Sequence, residues 1–379
     1  MSANLTADEM IALIRRIVTE KIAPRAAEND ATRTFPWDNL HALGEAGFFG
    51  LILAEDAGGL GASRSGFAPV VTEIAKGCAS TALIYLSSCI VAKAIELGGQ
   101  AAIKAKWLPR ILKGECIGAF AFHEPESGSD SSAIQTRAKR IGDFFSVNGS
   151  KFFITSGDEA SVYLVLVLTG ADEAAPELTT LLIEKDMAGV SFGRPEDKLG
   201  LTSTSSRQMF FDDCRVPVAN LIGEEGQGAK VLGKAVVGWG LFGAAAISLG
   251  LAKAASGIAT RHATTRMIGG QPLATHQAVQ FMIADMIVST EAAEALLMAC
   301  ANIADALPET AAFHGMKAKL FASETAVNVT NTALQVMGGH GYCRDYVVER
   351  LLRDARGLLL HFKTSEWLRQ DIAHMATRV

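Results

Sequence analysis

The sequence predicts an α+β protein in which a β domain lies between two helical domains. Apolar residues repeat at spacings of three and four up to about Lys113 and again after Gly228, which is the period of an amphipathic helix. From about Cys116 to Leu221 this period gives way to short runs rich in aromatic and aliphatic residues, which are typical of strands. We therefore expect domains over residues 1–115, 116–224 and 225–379.

Composition and charge narrow the classes of protein. The 379 residues are 49% hydrophobic and 20% charged, as in a soluble enzyme with a large core, and the formal net charge is −5. This charge provides no basic field, so we do not expect a nucleic-acid partner. The six cysteines lie far apart without C-x-x-C pairs or His-rich spacing. They predict buried free thiols in a reducing compartment, the cytoplasm, and no metal site.

The first helix is marked by its cap. Thr6 followed by Glu9 predicts a capping box. Met1 to Asn4 is polar, so we do not expect a signal peptide. One apolar stripe then follows at helical spacing: Ile11, Ile14, Val18 and Ile22. Further breaks are expected at Pro36, Gly44, Gly58-Gly59, Gly77 and Gly98-Gly99.

In the β region, Asn148-Gly149 lies between two aromatic runs, which predicts a hairpin with a primed turn there. The other strand candidates are Tyr163–Leu168, Leu178–Ile183 and Gln208–Phe211.

The last region predicts a four-helix bundle, with long helical runs over Ser289–Leu307 and Thr310–Met337. Breaks fall at Gly269-Gly270, Pro308 and Gly338-Gly339. The stretch Ala235–Ala252 is uncharged and approaches the length of a membrane span. It is rich in Gly and Ala and no second such span is evident, so we expect a buried bundle helix and no membrane span.

Motifs along the chain resemble, in the right order, those of the acyl-CoA dehydrogenase family. Each is weakly specific alone, but the series covers about the whole chain. The matching segments are Phe120–Asp130 (ending E-P-x-x-G-S-D), Asn148–Gly157, Lys198–Leu201, Val216-Pro217, Gly223–Gly228, Arg266 to Gln277, Gln335–Tyr342 and Glu349–Asp354.

The resemblance implies a β-barrel-like middle domain between the two helical domains. It also implies an FAD-dependent oxidoreductase of EC 1.3 type that acts on an acyl thioester of CoA or of a carrier protein, in a homotetramer or homodimer. No G-x-G-x-x-G follows a strand, so a Rossmann mode is not supported. By position, the residues around the isoalloxazine would be Phe120, Phe122, His123, Ser129, Phe153 and Thr155. Those reaching a neighbouring subunit's FAD would be Arg266, His276 and Gln277, those at its adenosine end Gln335, Gly338 and Gly339, and Thr364 and Glu366 would also contact FAD.

Simpler interpretations stay open for some of these residues. Phe152-Phe153 is also compatible with ordinary core, Gly338–Gly341 with a helix stop, and Arg266 with a solvated cation at a helix end. Gly269 stands where the family motif has phenylalanine, which weakens the expected adenine contact.

The chain departs from the family at its catalytic base. Aligned from Arg353-Asp354, Phe362 takes the place of the family's C-terminal glutamate and Lys363 that of the following glycine. Some members carry the base on the helix after the β domain, but Gly240 falls there, with Leu241 beside it. Phenylalanine and glycine cannot accept a proton. The resemblance implies substrate contacts for Ser129, Gly240, Leu241 and Phe362.

Two histidines are candidate replacement bases. His361 adjoins the glutamate position, and His123 stands where the family has a threonine near the flavin. The alternatives are a polar residue on a loop for His361 and a hydrogen bond to flavin for His123.

Three further hypotheses remain for the reaction. The scaffold also suits a flavin monooxygenase or hydroxylase, a desulfinase-type elimination, or a flavin-binding homologue without catalysis. The helix over Ser80–Glu96 offers no arginine for a sulfinate. The sequence does not specify the electron acceptor.

Overall fold

A computed structural model describes residues 6–128, 133–170 and 177–377. The predicted order of helices, strands and helices is confirmed. The N-terminal helices are α1 (Ala7–Ile17), α2 (Ala26–Thr32), α3 (Trp37–Glu45), α4 (Arg64–Gly77), α5 (Ala79–Gly98) and α6 (Ala101–Leu112).

The capping box at the start of α1 is confirmed. The backbone N–H of Glu9 donates to Thr6 Oγ1 at 3.3 Å, and the backbone N–H of Thr6 donates to Glu9 Oε2 at 2.8 Å. Of the predicted stripe, Ile14, Val18 and Ile22 are buried, and Ile11 is half-buried. The polar residues 1–4 lie outside the described residues.

The β domain is one sheet, ordered β1-β4-β2-β3-β7-β6, with β5 on the other edge of β4. Its strands are β1 (Gly118–Ala121), β2 (Arg137–Ile141), β3 (Phe144–Ile154), β4 (Val162–Thr169), β5 (Glu177–Glu184), β6 (Val190–Phe192) and β7 (Arg207–Pro217). The three other predicted strands are confirmed as parts of β4, β5 and β7. The short β1, β2 and β6 were not predicted.

The predicted hairpin turn at Asn148-Gly149 is wrong. The strand β3 runs through this dipeptide, and the hairpin turn lies at Gly142-Asp143, between paired Ile141 and Phe144. Gly149 instead lies at a register shift between β3 and β7, with φ +140°. A Cβ there would stand 2.8 Å from Thr136 Cα, so glycine serves a β-bulge and a close approach of two strands.

The C-terminal region is helical, as predicted. It contains α7 (Gly228–Val231), a π-helical stretch over Leu232–Val237, α8 (Gly238–Thr265), α9 (Gln277–Ala306), α10 (Ala311–Met337), α11 (Gly339–Tyr342), α12 (Val348–Leu358) and α13 (Ser365–Thr377). Two short strands, β8 (Met267–Ile268) and β9 (Gln271–Pro272), pair around Gly269-Gly270. Both glycines have positive φ, of 58° and 82°, which explains why the turn uses glycine.

Two helices among the described residues are long and apolar enough to cross a membrane, by length and composition alone: α5 and the continuous helix Gly228–Thr265. The second contains the apolar stretch Ala235–Ala252 that the sequence indicates, and α5 corrects the expectation that no other stretch of this kind exists. Their most apolar windows are 78% and 94% buried inside the protein, as in core helices.

The cysteines are all free, and five of the six are buried. Cys343 is exposed, which corrects the expectation that every thiol is buried.

Candidate active site

A cavity of about 190 Å³ lies where the β domain meets the C-terminal helices. Its wall from the β domain includes Phe122, His123 and Leu166, and its wall from the helices includes Val237, Leu241 and Met316. Phe362 and Lys363 complete it from the loop before α13. The lining is mainly apolar with a few polar groups, as in pockets that bind small organic molecules.

The loop that carries Phe362 is held by a buried lysine. Lys319 on α10 is fully buried, and its Nζ donates to the carbonyls of Lys363 at 2.6 Å and Leu359 at 3.2 Å. Phe362 has φ +64°, a sparsely populated conformation for a bulky residue. The structure therefore places this ring by fixing the backbone on both sides of it.

The Phe362 ring packs where the two usual base positions meet. An ideal Cβ on Gly240 would stand 2.4 Å from Phe362 Cε1 and 3.2 Å from Ile90 Cδ1. On its other side, Phe362 lies 5.7 Å from Phe120 between ring centroids, and Phe120 lies 5.3 Å from Phe122. The predicted residues Gly240, Phe362, Phe120 and Phe122 are therefore neighbours.

A buried ion pair joins the two motifs of the β domain. Lys151 Nζ donates to Glu124 Oε1 at 2.7 Å, and both side chains are almost completely shielded from solvent. The backbone N–H groups of Gln135 and Thr136 also donate to this carboxylate, at 2.6 and 3.1 Å. Burial acts to raise the pKa of Glu124, but the hydrogen bond and charge of Lys151 outweigh it and lower that pKa. The pair therefore stays ionised and fixes β3 beside His123.

The aromatic residues on β3 suit a flat cofactor. Phe153 has φ +55° at a second register shift of β3, and the residue is 58% exposed. Its ring packs edge-to-face against that of Phe152, with 4.2 Å between the ring centroids. An exposed ring on a strained backbone is costly in an isolated chain, and such strain is common at binding sites. Thr155 follows two residues later, and the buried Ser156 Oγ lacks a hydrogen-bond partner among the described residues. The end of β3 therefore fits the isoalloxazine ring that the resemblance implies.

The two histidines differ in their surroundings. His123 lines the cavity, and burial together with the Lys151 charge lowers its pKa, so its imidazole is neutral at pH 7. His361 Nδ1 lies 2.8 Å from the Gly357 carbonyl oxygen, which implies that the proton of the neutral imidazole is on Nδ1 and is donated to this carbonyl. Burial, reinforced by the charges of Lys198 and Lys319 and opposed by this hydrogen bond, lowers the pKa of His361 to about 4. Of the two, His123 faces the cavity.

The residues expected at the dinucleotide half lie far from this cavity. Arg266 follows the end of α8, about 39 Å from Gly240 at 1.5 Å per residue. The rings of His262 and His340 lie 5.5 Å apart, so the turn after α10 meets the same end of the bundle. The residues around that end are exposed: Arg266, His276, Gln277, Gln335, Gly338 and Gly339.

The remaining predicted residues lie close to the cavity or outside the part of the chain that the structure describes. Thr364 and Glu366 flank the start of α13, next to the Phe362 loop. Ser129 lies outside the described residues.

Sequence reasoning missed the cavity residues of the π-helical stretch and of α10, such as Val236 and Met316, and the role of Lys319. A lysine on the apolar face of an Ala-rich helix is a signal that could have identified Lys319.

Three family models match consecutive parts of the chain: the acyl-CoA dehydrogenase N-terminal domain over residues 6–115, the middle domain over 119–214 and the C-terminal domain over 226–377. The mitochondrial isobutyryl-CoA dehydrogenase of Dictyostelium discoideum is 40% identical over 89% of this chain and 81% of its own. The solved butyryl-CoA dehydrogenase of Megasphaera elsdenii has a TM-score of 0.93 at 31% identity, with both chains covered completely. The prolyl acyl carrier protein oxidase AnaB has a TM-score of 0.92 at 25% identity, covering 99% of this chain and 100% of its own.

Proposed function

Because this chain belongs to the acyl-CoA dehydrogenase family and is an FAD-dependent oxidoreductase of acyl-CoA thioesters, we propose that it works with a remodelled base site in which His123 handles the substrate proton. The observation that carries this proposal is the pairing of Phe362 with Gly240, since neither usual base position can accept a proton. His123 is the neutral base candidate on the cavity wall.

The proton chemistry follows from these surroundings. The Cα–H bond of the thioester breaks, its proton moves to the imidazole of His123, and the electron pair forms the Cα=Cβ double bond. FAD, when bound, supplies the acceptor for the hydrogen and two electrons that leave Cβ. Burial and, to a smaller extent, the Lys151 charge lower the pKa of His123 and so disfavour its protonated form, which favours proton release after the reaction.

The chain's own residues would hold the flavin on two sides. We infer that Phe120, Phe122, Phe153 and Thr155 surround the isoalloxazine, since Phe122 lines the cavity and the backbone N–H of Phe152 donates to the carbonyl of His123 at 2.8 Å, which brings the end of β3 to the segment after β1. The Glu124–Lys151 pair would keep these two segments rigid, because it ties the segment after β1 to β3.

The exposed residues at the far end of the bundle support assembly into a homotetramer or homodimer. Arg266 lies about 39 Å from Gly240 along α8, at 1.5 Å per residue, and so at the end of this helix that is remote from the cavity. We infer that Arg266, His276, Gln277, Gln335, Gly338 and Gly339 contact the FAD of a neighbouring subunit. Arginine suits its pyrophosphate, because the planar guanidinium can donate two parallel hydrogen bonds.

We also infer that the protein works in the cytoplasm. The support is its free thiols, which are typical of a reducing compartment.

The test is anaerobic mixing of the yellow, FAD-loaded protein with butyryl-CoA. We expect the flavin absorbance to bleach without dithionite. His123→Ala should slow bleaching by about a hundredfold or more, the usual contribution of a general base, while His361→Ala should bleach at nearly the wild-type rate. Full activity of the double variant would exclude both histidines as bases.

Other outcomes of the same experiment point to the alternatives. Turnover that requires NAD(P)H, a reductase and O₂ would indicate a monooxygenase. Bleaching by an acyl-carrier protein but by no acyl-CoA would indicate the carrier-bound substrate named for AnaB. An FAD-loaded protein that neither binds nor oxidises any thioester would indicate a homologue without catalysis.

A further inference from the structure

We propose that Phe362 is the end wall of the acyl pocket and restricts this enzyme to short acyl groups, no longer than butyryl. This inference rests on the proposed function, because it assumes that the cavity receives an acyl thioester. It concerns the substrate class and is independent of which residue acts as the base.

The first support is the position of the ring. Phe362 lines the cavity on one side, and its other side packs on the backbone of Gly240 and beside Phe120. An apolar chain that enters along Val237 and Leu241 therefore meets an aromatic ring that has packed atoms behind it.

The second support is the closed seam between α5 and α8 behind the ring. Ile90 Cδ1 would stand 3.2 Å from a Cβ on Gly240, and one turn further Leu86 Cδ1 would stand 2.2 Å from a Cβ on Gly243. Leu86 and Ile90 are both fully buried. The two glycines thus let α5 side chains pack directly on the α8 backbone, and these contacts fill the space beside Gly240 and Gly243 that a longer acyl chain would need.

The third support is that the ring is held in place. Lys319 fixes the carbonyls of Leu359 and Lys363, and Phe362 itself has a positive φ between them. A rotation that cleared the pocket would meet Phe120 or Gly240. The cavity of about 190 Å³ is also smaller than the roughly 300–1,000 Å³ of common small-molecule pockets.

The experiment measures binding by calorimetry on the FAD-loaded, full-length protein, with acetyl-, butyryl-, hexanoyl- and octanoyl-CoA as probes under anaerobic conditions. We expect octanoyl-CoA to bind at least about tenfold more weakly than butyryl-CoA. In Phe362→Ala this ratio should fall by about tenfold, because the deleted ring opens space beside Gly240. Phe210→Ala, at an exposed ring on β7, is the matched control and should keep the wild-type ratio.

Two results would overturn the proposal: octanoyl-CoA binding to the wild type as tightly as butyryl-CoA, or an unchanged ratio in a folded, yellow Phe362→Ala. If that variant does not fold, Phe362→Leu should give a smaller shift in the same direction, and the wild-type series decides by itself. Failure of every CoA thioester to bind would instead overturn the proposed function together with this inference.

Discussion

The Phe362 ring fills the space that a side chain at Gly240 would need: a Cβ on Gly240 would lie 2.4 Å from Cε1 and 2.8 Å from Cδ1 of the ring. Real Cβ atoms do not approach other atoms so closely. The ring in the loop before α13 and the missing side chain on α8 therefore form one unit. The loss of a base at both positions has a common structural result, which is an apolar contact in place of a carboxylate.

This relationship predicts the behaviour of Gly240→Ala. The added methyl must displace the Phe362 ring, which should destabilise the protein by about 1–3 kcal/mol, the usual cost of overpacking. In the Phe362→Ala background the same change should be nearly neutral. Urea denaturation of the two single variants and the double variant measures this coupling. Additive effects would show that the two residues do not constrain each other.

The buried Glu124–Lys151 pair makes a second prediction. Lys151→Met leaves a buried carboxylate without its charged partner, which should cost about 3–5 kcal/mol and reduce flavin content. The control is Lys106→Met, which removes an ion pair to Glu184 of the same 2.7 Å length that is partly exposed. That change should cost less than about 1 kcal/mol. Equal losses of stability in Lys151→Met and Lys106→Met would show that burial of the ion pair does not determine the cost of breaking it.

A third prediction concerns pH. The pKa of His361 in the folded protein, about 4, is below its ordinary value of about 6.5. At pH values between these two, the folded state therefore binds fewer protons than the unfolded state. The stability contribution of neutral His361 is therefore complete above pH 6.5 and is lost as the pH falls towards 4. His361→Asn should reduce the loss between pH 7 and 4.5 by about 1–3 kcal/mol. Denaturant midpoints of the wild type and of His361→Asn at the two pH values measure this difference. Equal losses of stability in the two proteins would contradict the prediction.

Lys319 provides a fourth prediction. Lys319→Met removes both hydrogen bonds to the Phe362 loop and leaves the carbonyls of Leu359 and Lys363 without this donor. We expect a loss of stability of about 2–4 kcal/mol and weaker binding of butyryl-CoA, because the cavity wall shifts. Lys317→Met, two residues earlier on the same helix, is only partly buried and should behave like the wild type. Normal butyryl-CoA binding by Lys319→Met would show that the loop is held by other contacts.

Local patterns were sufficient for much of the fold. The capping box at Thr6 and the breaks at Gly269-Gly270 and Pro308 depend on residues close together in the chain, and the structure has them where the sequence predicts. The hairpin was misplaced, because Asn148-Gly149 satisfies both a primed turn and a β-bulge. The deciding contacts are with Thr136, just before β2, and with Asp213 in β7.

The sequence by itself determined the family, its FAD and the absence of a glutamate at position 362, because ordered motifs and residue identities are properties of the chain. Only the tertiary structure decided that Phe362 packs on Gly240 and Ile90, that Lys319 holds its loop, and that His123 rather than His361 lines the cavity. These residues are far apart along the chain. Side-chain packing between such segments leaves no period or motif from which it could be inferred.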